Sequence, residues 1–349
     1  MTFKEVNAPL KRWSDAGARA GVATLIAVRR SAPRAPGARF AASDGGEVAG
    51  SVSSGCVEAD LYEHIQGVLE AGEPRLVEYR ISDEMAGEVG LSCGGEIDVL
   101  VAPYAPGEVW AGLEEAVAAK EAVVLVTGLS EGIRGRQLLL RFDGTRTGTL
   151  GDASLDDAAA EATRSLFDTG GAPVIELDDP EARIFAEAYL PPDRLAIVGA
   201  TPVGAALCHL ASYLGIAVTV IDPRAPFAPD ERFPEAERVL RVWPEEGLEM
   251  IGLDRYWNVV VLAHDDKLDG PALAAALRVG CLYVGQIGGR RTQRMRREAL
   301  VAQGFSEDEV GRIHGPVGLD IGAESPEEIA LSILAELVAV RRRGAGGAR

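Results

Sequence analysis

The chain has 349 residues, 47% hydrophobic and 25% charged, and 53 acidic against 35 basic side chains leave a formal net charge of −18. That length suffices for two domains with their own cores, the acidic field repels nucleic acid and anionic membranes, and no apolar run nears the roughly 20 residues that span a bilayer. The opening stretch MTFKEVNAPLKRWSDAG lacks the apolar centre of a secretory signal, so a cytoplasmic protein is expected.

Cys56, Cys93, Cys208 and Cys281 lie far apart with no C-x-x-C pair, and the four histidines are equally dispersed. This pattern argues against a structural zinc site, a disulfide framework and a dedicated catalytic metal cage. Each thiol is expected to be free, as a packing residue or as a reactive group.

In chain order, the strand ATLIAV (Ala23 to Val28) leads into the proline-stiffened basic loop RRSAPRAPGARF. Arg34 and Arg39 there are candidate phosphate clamps, solvated surface arginines being the plainer reading. Next comes SVSSGCVEADLYEHI, a small-residue turn before a helix expected over Val57 to Ala71, with Val57, Leu61, Ile65 and Val68 as its buried stripe. Cys56 falls at or beside the N-cap, where free N–H groups and the helix dipole lower a thiol's pKa. Ser53, Ser54 and Gly55 let a ligand approach the backbone. Glu58 and Asp60 suit the dipole, and Glu58 is also a candidate acid or base. The segment GLSCGGEIDVLV then places Cys93 in a glycine loop at the mouth of an alternating strand, where Gly94 and Gly95 leave room for a bulky group.

A second stretch, GRQLLLRFDGTRTGTLGDASLDD, reads like GARFAASDGGEVAGSVSSGCVEAD. Both run strand, Asp-Gly turn or its like, strand and helix at an offset of 98, so that Cys56 meets Ser154 and Gly72 meets Gly170. Residues 1–190 are therefore expected to form an N-terminal α/β domain of two ββαβ-like units, 21–104 and 121–190. The segment carrying Cys93 has no counterpart. The alternative is that two ββαβ units look alike by pattern alone.

Pro191 and Pro192 mark a join, after which 191–349 alternate strand and helix in a Rossmann-like doubly wound parallel sheet. In AIVGATPVGAAL, Gly199 and Gly204 fit the first and third glycines of G-x-G-x-x-G, but Thr201 replaces the second, so a β-carbon obstructs a pyrophosphate. Asp222 ends the second strand, where a ribose hydroxyl is normally accepted. His264, in AHDDKLDG, is a candidate acid, base or ligand. Arg290 and Arg291, after the strand CLYVGQIGG, are candidate phosphate contacts, while Arg294, Arg296 and Arg297 read as a solvated helix face. Ser325 and Glu328 form a capping box for a closing helix. Cys208 and Cys281 read as packing residues.

Together these segments resemble the XdhC/CoxI family: the stretches around Arg34, Cys56 and Cys93 its N-terminal domain, and LAIVGATPVGAALCHLASYLGIAVTVIDPR through GPVGLDIGAESPEEIALSILAEL its Rossmann domain. The motifs are weak only over Ala105 to Leu190. The resemblance implies an accessory protein that binds the molybdenum cofactor (molybdopterin), aids its sulfuration and supports insertion into a xanthine dehydrogenase-type molybdenum hydroxylase. Cys56 and Cys93 match the family's two glycine-flanked cysteines and are candidate molybdenum ligands or sulfur relays. Expected partners are the apo-hydroxylase, a cysteine desulfurase and a second copy of the chain in a dimer. Two departures stand out: Ser54 replaces the glycine usually preceding GC, and GATPVG replaces a more glycine-rich turn. The competing readings are an NAD(P)-dependent oxidoreductase using His264 and a docking module without a ligand.

Overall fold

Val6, Leu10 and Trp13, spaced four and three residues apart, give the first helix one apolar face, and it forms despite Pro9. It is α1 (Thr2–Asp15) in a computed structural model that describes residues 2–30, 32–55, 57–80, 95–178 and 180–343. The chain divides into two compact units, Met1–Leu190 and Pro191–Arg349.

In the first unit, α1 packs on the hairpin of β2 (Arg39–Ser43) and β3 (Val48–Gly50), which follows β1 (Ala20–Arg29). Helix α2 (Glu58–Ala71) and strands β4 (Arg75–Tyr79) and β5 (Glu96–Pro103) complete an antiparallel sheet in the order β3-β2-β1-β5-β4. Leu61, Ile65 and Val68 of α2 bury themselves against Ala23, Leu25, Val99 and Val101, as the four- and three-residue spacing requires. The helix starts one residue later than its apolar stripe, with Val57 as the N-cap.

The second half of this unit repeats the plan. Helix α3 (Glu108–Ala119), strands β6 (Val123–Gly128), β7 (Gln137–Arg141) and β8 (Arg146–Gly148), helices α4 (Ala153–Thr163) and α5 (Leu166–Thr169), and strands β9 (Val174–Asp178) and β10 (Glu181–Tyr189) form a sheet ordered β8-β7-β6-β10-β9. The hairpins β2–β3 and β7–β8 coincide at the offset of 98, pair for pair: Phe40 faces Gly50, and Leu138 faces Gly148. Gly50 and Gly148 both have positive φ, 74° and 85°, and a β-carbon on either would strike the carbonyl of Arg39 or Gln137. Ile26, Leu100, Leu129 and Phe185 join the two sheets in one apolar cluster. Beside it, Arg39 is 2% exposed and bonds Glu187 Oε2 at 2.5 Å and Tyr189 Oη at 2.9 Å.

The second unit is a six-stranded parallel sheet. Its strands are β11 (Arg194–Val198), β12 (Ala217–Ile221), β13 (Arg238–Leu240), β14 (Trp257–Val261), β15 (Tyr283–Gln286) and β16 (Ile313–His314), ordered β13-β12-β11-β14-β15-β16. That is the 3-2-1-4-5-6 order of dinucleotide-binding sheets. Helices α6 (Pro202–Tyr213) and α11 (Pro326–Arg343) cover one face, while α7 (Pro244–Met250), α8 (Asp266–Val279), α9 (Arg290–Ala302) and α10 (Glu307–Gly311) lie on the other side. Ser325 Oγ accepts from Glu328 N and Glu328 accepts from Ser325 N, so the closing helix carries the reciprocal cap its sequence announces. Among the described residues no helix is long and apolar enough to cross a membrane.

Candidate functional site

The loop leading into α2 is built around one carboxylate. Glu58 Oε1 accepts hydrogen bonds from Ser51 Oγ (2.6 Å), Val52 N (3.0 Å) and Ser53 N (2.8 Å). Its Oε2 accepts from Ser53 Oγ (2.6 Å), Gly55 N (2.9 Å) and Val57 N (3.2 Å). The loop closes over the acid because Ser54 and Gly55 adopt positive φ, 67° and 117°. Ser54 thus stands in a conformation that favours glycine, and its N–H is held by Ser51 Oγ at 2.8 Å. Burial alone would raise the Glu58 carboxyl, but the hydroxyls of Ser51 and Ser53 and the backbone donors outweigh it and hold it down to about 2. Glu58 is therefore an ionised anchor. It has no proton to give as an acid near neutral pH.

This changes the electrostatics expected of the turn. The N–H groups of Val52, Ser53, Gly55 and Val57 point at the protein's own carboxylate, so they are not free to hold an external anion. Asp156, at the offset of 98, plays a reduced version of the same part: its Oδ1 accepts from Leu150 N at 2.8 Å, as Glu58 accepts from Val52 N. Only the first copy has the two serine hydroxyls on the acid. Near this loop Asp60 accepts from Tyr79 Oη at 2.6 Å and lies 3.4 Å from His64 Nε2, and Arg29 grips Asp98 with two bonds of 2.9 and 2.7 Å. The site that α2 opens is thus lined with engaged acids.

Cys56, Cys93 and Gly94 lie outside the described residues. Gly95 is described, buried immediately before β5. Arg34 is paired with Glu5 at 2.7 Å, and Arg39 is sealed inside the unit, so the expected phosphate clamp in that loop does not form. The prolines shape the loop, but β2 begins at Arg39 and turns its side chain inward.

In the second unit the glycine turn is explained by its own packing. Gly199, with φ 111°, abuts the backbone of Leu262 and Ala263, and Gly204 abuts the Gly199 carbonyl. Thr201 is the N-cap of α6, its Oγ1 accepting from Gly204 N at 3.1 Å. Both Asp222 oxygens are taken twice. Oδ1 accepts from Arg224 N and Nε, both at 2.9 Å, while Oδ2 accepts from Ala200 N and Arg224 Nη2, both at 2.8 Å. A carboxylate has about four lone-pair sites, so a ribose hydroxyl would have to displace one of these donors. His264 is exposed, with φ 54°, on a groove of about 640 Å³ that it shares with Asp266, Thr292 and Arg296. Among the described residues no acid hydrogen-bonds its ring as a catalytic pair would, and no cluster of three metal-ligating side chains occurs. Cys208 and Cys281 are 0% and 1% exposed, and burial pushes their thiols up to about 11 and about 12. They are packing residues.

Comparisons with known proteins align with this division. A model described as the XdhC and CoxI family matches residues 13–80, and one described as the XdhC Rossmann domain matches residues 195–337. The first match includes Cys56 and ends before the segment of Cys93. Over 325 residues the chain is 28% identical to a probable xanthine dehydrogenase subunit of Bacillus subtilis (strain 168), covering 92% of this chain and 93% of that protein. It is 25% identical to the molybdenum cofactor insertion chaperone PaoD of Escherichia coli (strain K12), covering 93% of this chain and 84% of that one. The crystal structure of a xanthine dehydrogenase from Bacillus halodurans is similar at a TM-score of 0.59 and 26% identity, over 98% of this chain and 97% of that one.

Proposed function

This chain belongs to the XdhC and CoxI family, and from that premise we propose that it is an accessory protein that binds the molybdenum cofactor. It supports the cofactor's sulfuration and its insertion into a xanthine dehydrogenase-type molybdenum hydroxylase. The observation that carries this reading is that models of one family match both units of the chain, and that the likeness to a molybdenum cofactor insertion chaperone runs along 93% of it.

The residues present fit the metal end of such a cofactor better than its phosphate end. Thiolates are soft ligands, and Cys56 adjoins a loop whose conformation a half-buried carboxylate fixes. Cys56 and Cys93 would hold the group, which when bound supplies the molybdenum centre that the client enzyme needs. Glu58, Ser51 and Ser53 would position the loop and keep its backbone donors occupied, so the pterin's phosphate finds no N–H cradle among those residues. Sulfur would come from a cysteine desulfurase, and the working form would be a homodimer. The oxidoreductase alternative has no support at Thr201 and Asp222, where the groups a dinucleotide uses are engaged within the fold.

The test is purification from a molybdopterin-producing host, with molybdenum and pterin measured in the wild type, Cys56→Ala and Cys93→Ala. Each variant is expected to lose bound cofactor and to activate the apo-hydroxylase poorly. Unchanged retention and activation in both would refute the site.

A further inference from the structure

Several surface arginines of this acidic chain find carboxylates: Arg12 pairs with Glu47, Arg19 with Asp44, Arg34 with Glu5 and Arg241 with Asp230. Helix α9 instead gathers three that do not. Arg290, Arg291 and Arg294 are exposed, and among the described residues none of the three makes an ion pair or hydrogen bond. The first turn of α9 carries no acid, and Gly289 at its N-cap supplies no side-chain cap. Positive charge there opposes the helix dipole, and Arg290 and Arg294 repel each other at a spacing of four. Both effects disfavour the empty helix, and both reverse when an anion sits between the charges.

The shape supports the same conclusion. Arg290, Arg294 and Arg297 follow one face of α9 and line a groove of about 560 Å³ that Gln293 and Gly315 also border. Arg297 is braced by a 2.9 Å bond to the Ile313 carbonyl, while its buried Nε has no partner. Gln293, 4% exposed, donates to the carbonyls of Gln286 and Gly288 at 3.0 and 3.3 Å and so holds the turn before the helix. On another flank the buried Arg296 pairs with Asp266 and Asp269, anchoring α9 to α8 without help from the free arginines. Glu298 and Glu307 border the groove too, so its positive character comes from the arginine row.

We propose that the arginine row of this groove binds the phosphate or diphosphate group of a small molecule. Guanidinium forks and free N–H groups at a helix start match phosphate oxygens, and the volume lies in the range of small-molecule sites. The net charge of −18 turns away a nucleic-acid polyanion at longer range. The proposal rests on α9 and its neighbours alone and does not depend on the chaperone reading.

The experiment is titration calorimetry of the full chain with pyrophosphate and with inorganic phosphate at low salt, for the wild type, Arg290→Gln/Arg294→Gln and the control Arg12→Gln. Pyrophosphate is expected to bind more tightly than phosphate and to weaken with added salt. The double variant is expected to lose roughly tenfold or more in affinity, and the control to retain it. Thermal melting of the ligand-free protein adds an independent readout: the double variant should melt no lower than the wild type, because it relieves repulsion. Absence of pyrophosphate binding, or affinity unchanged in the double variant, overturns the proposal. A lower melting temperature for that variant overturns it as well, by giving the arginines a structural role. Binding of a hexaglutamate peptide without binding of pyrophosphate would instead assign the face to an acidic protein.

Discussion

Six donors converge on the Glu58 carboxylate, and an amide in its place would turn an NH2 toward several of them. Glu58→Gln is therefore expected to destabilise the first unit by about 2 kcal/mol, the worth of charged hydrogen bonds at a half-exposed site. The folded pKa, about 2, lies below the ordinary 4.5. The ionised form is the one the fold favours, so this stabilisation is complete above about 4.5 and disappears as the pH falls toward 2. Urea denaturation followed by circular dichroism should show the gap between wild type and variant closing across that window. A constant gap would mean that the charge is not what the loop uses. The sequence shows Glu58 as a first-turn acid that suits the dipole. That the preceding loop folds back over it depends on positive φ at Ser54 and Gly55, and at Ser54 no local preference announces it.

At the scale of elements, the alternation of strands and helices predicted the parallel sheet of the second unit, while α8 begins at Asp266, inside the stretch AHDDKLDG. The capping role of Thr201 was less visible, because the same residue reads as a defect in a glycine fingerprint. Thr201→Gly completes the fingerprint while removing the cap. It is expected to cost a few tenths of a kcal/mol and to confer no NAD binding, since Asp222 remains held by Arg224 and Ala200 N. Calorimetry with NAD checks this; binding comparable to that of a dinucleotide enzyme would show that Thr201 alone had blocked the site. The hairpins β2–β3 and β7–β8 were legible too, since their Asp-Gly or Gly-Gly turns and alternating residues recur 98 positions apart. Helices α1 and α3 were not, because Pro9 stands inside α1 against its own apolar spacing and α3 falls where the motifs are weak.

At the scale of the whole molecule, Arg39 shows what pairing across distant sequence does. It meets Glu187 and Tyr189, 148 and 150 residues away, and ties the two sheets of the first unit together in a region where both charges are nearly dry. Burial pushes the Glu187 carboxyl up, and the guanidinium beside it pulls the other way. Arg39→Met leaves that carboxylate unpaired and is expected to cost about 3–5 kcal/mol. Arg39→Met combined with Glu187→Leu should recover most of the loss, because the pair's desolvation is then removed as well. Denaturant midpoints of the two variants decide this; equal destabilisation in both would show that the pair supplies net stability.

Local patterning settled a good deal by itself: the alternation of strands and helices after Pro191, the repeated hairpins, the burial of Cys208 and Cys281, and the family to which the whole set belongs. These are properties of neighbours in sequence, set by side-chain period, turn chemistry and composition. The tertiary structure alone decided which polar groups are already spent. Arg39, Glu58 and Asp222 each look available in the sequence, and each is consumed by partners whose positions only the folded chain fixes. Arg290 reads as a candidate phosphate contact and Arg294 as part of a solvated helix face, and among the described residues the fold leaves both without an ion pair although Glu298 and Glu307 border their groove. Hydrogen bonds and ion pairs are short-ranged and directional, so their satisfaction is a fact about three-dimensional neighbours.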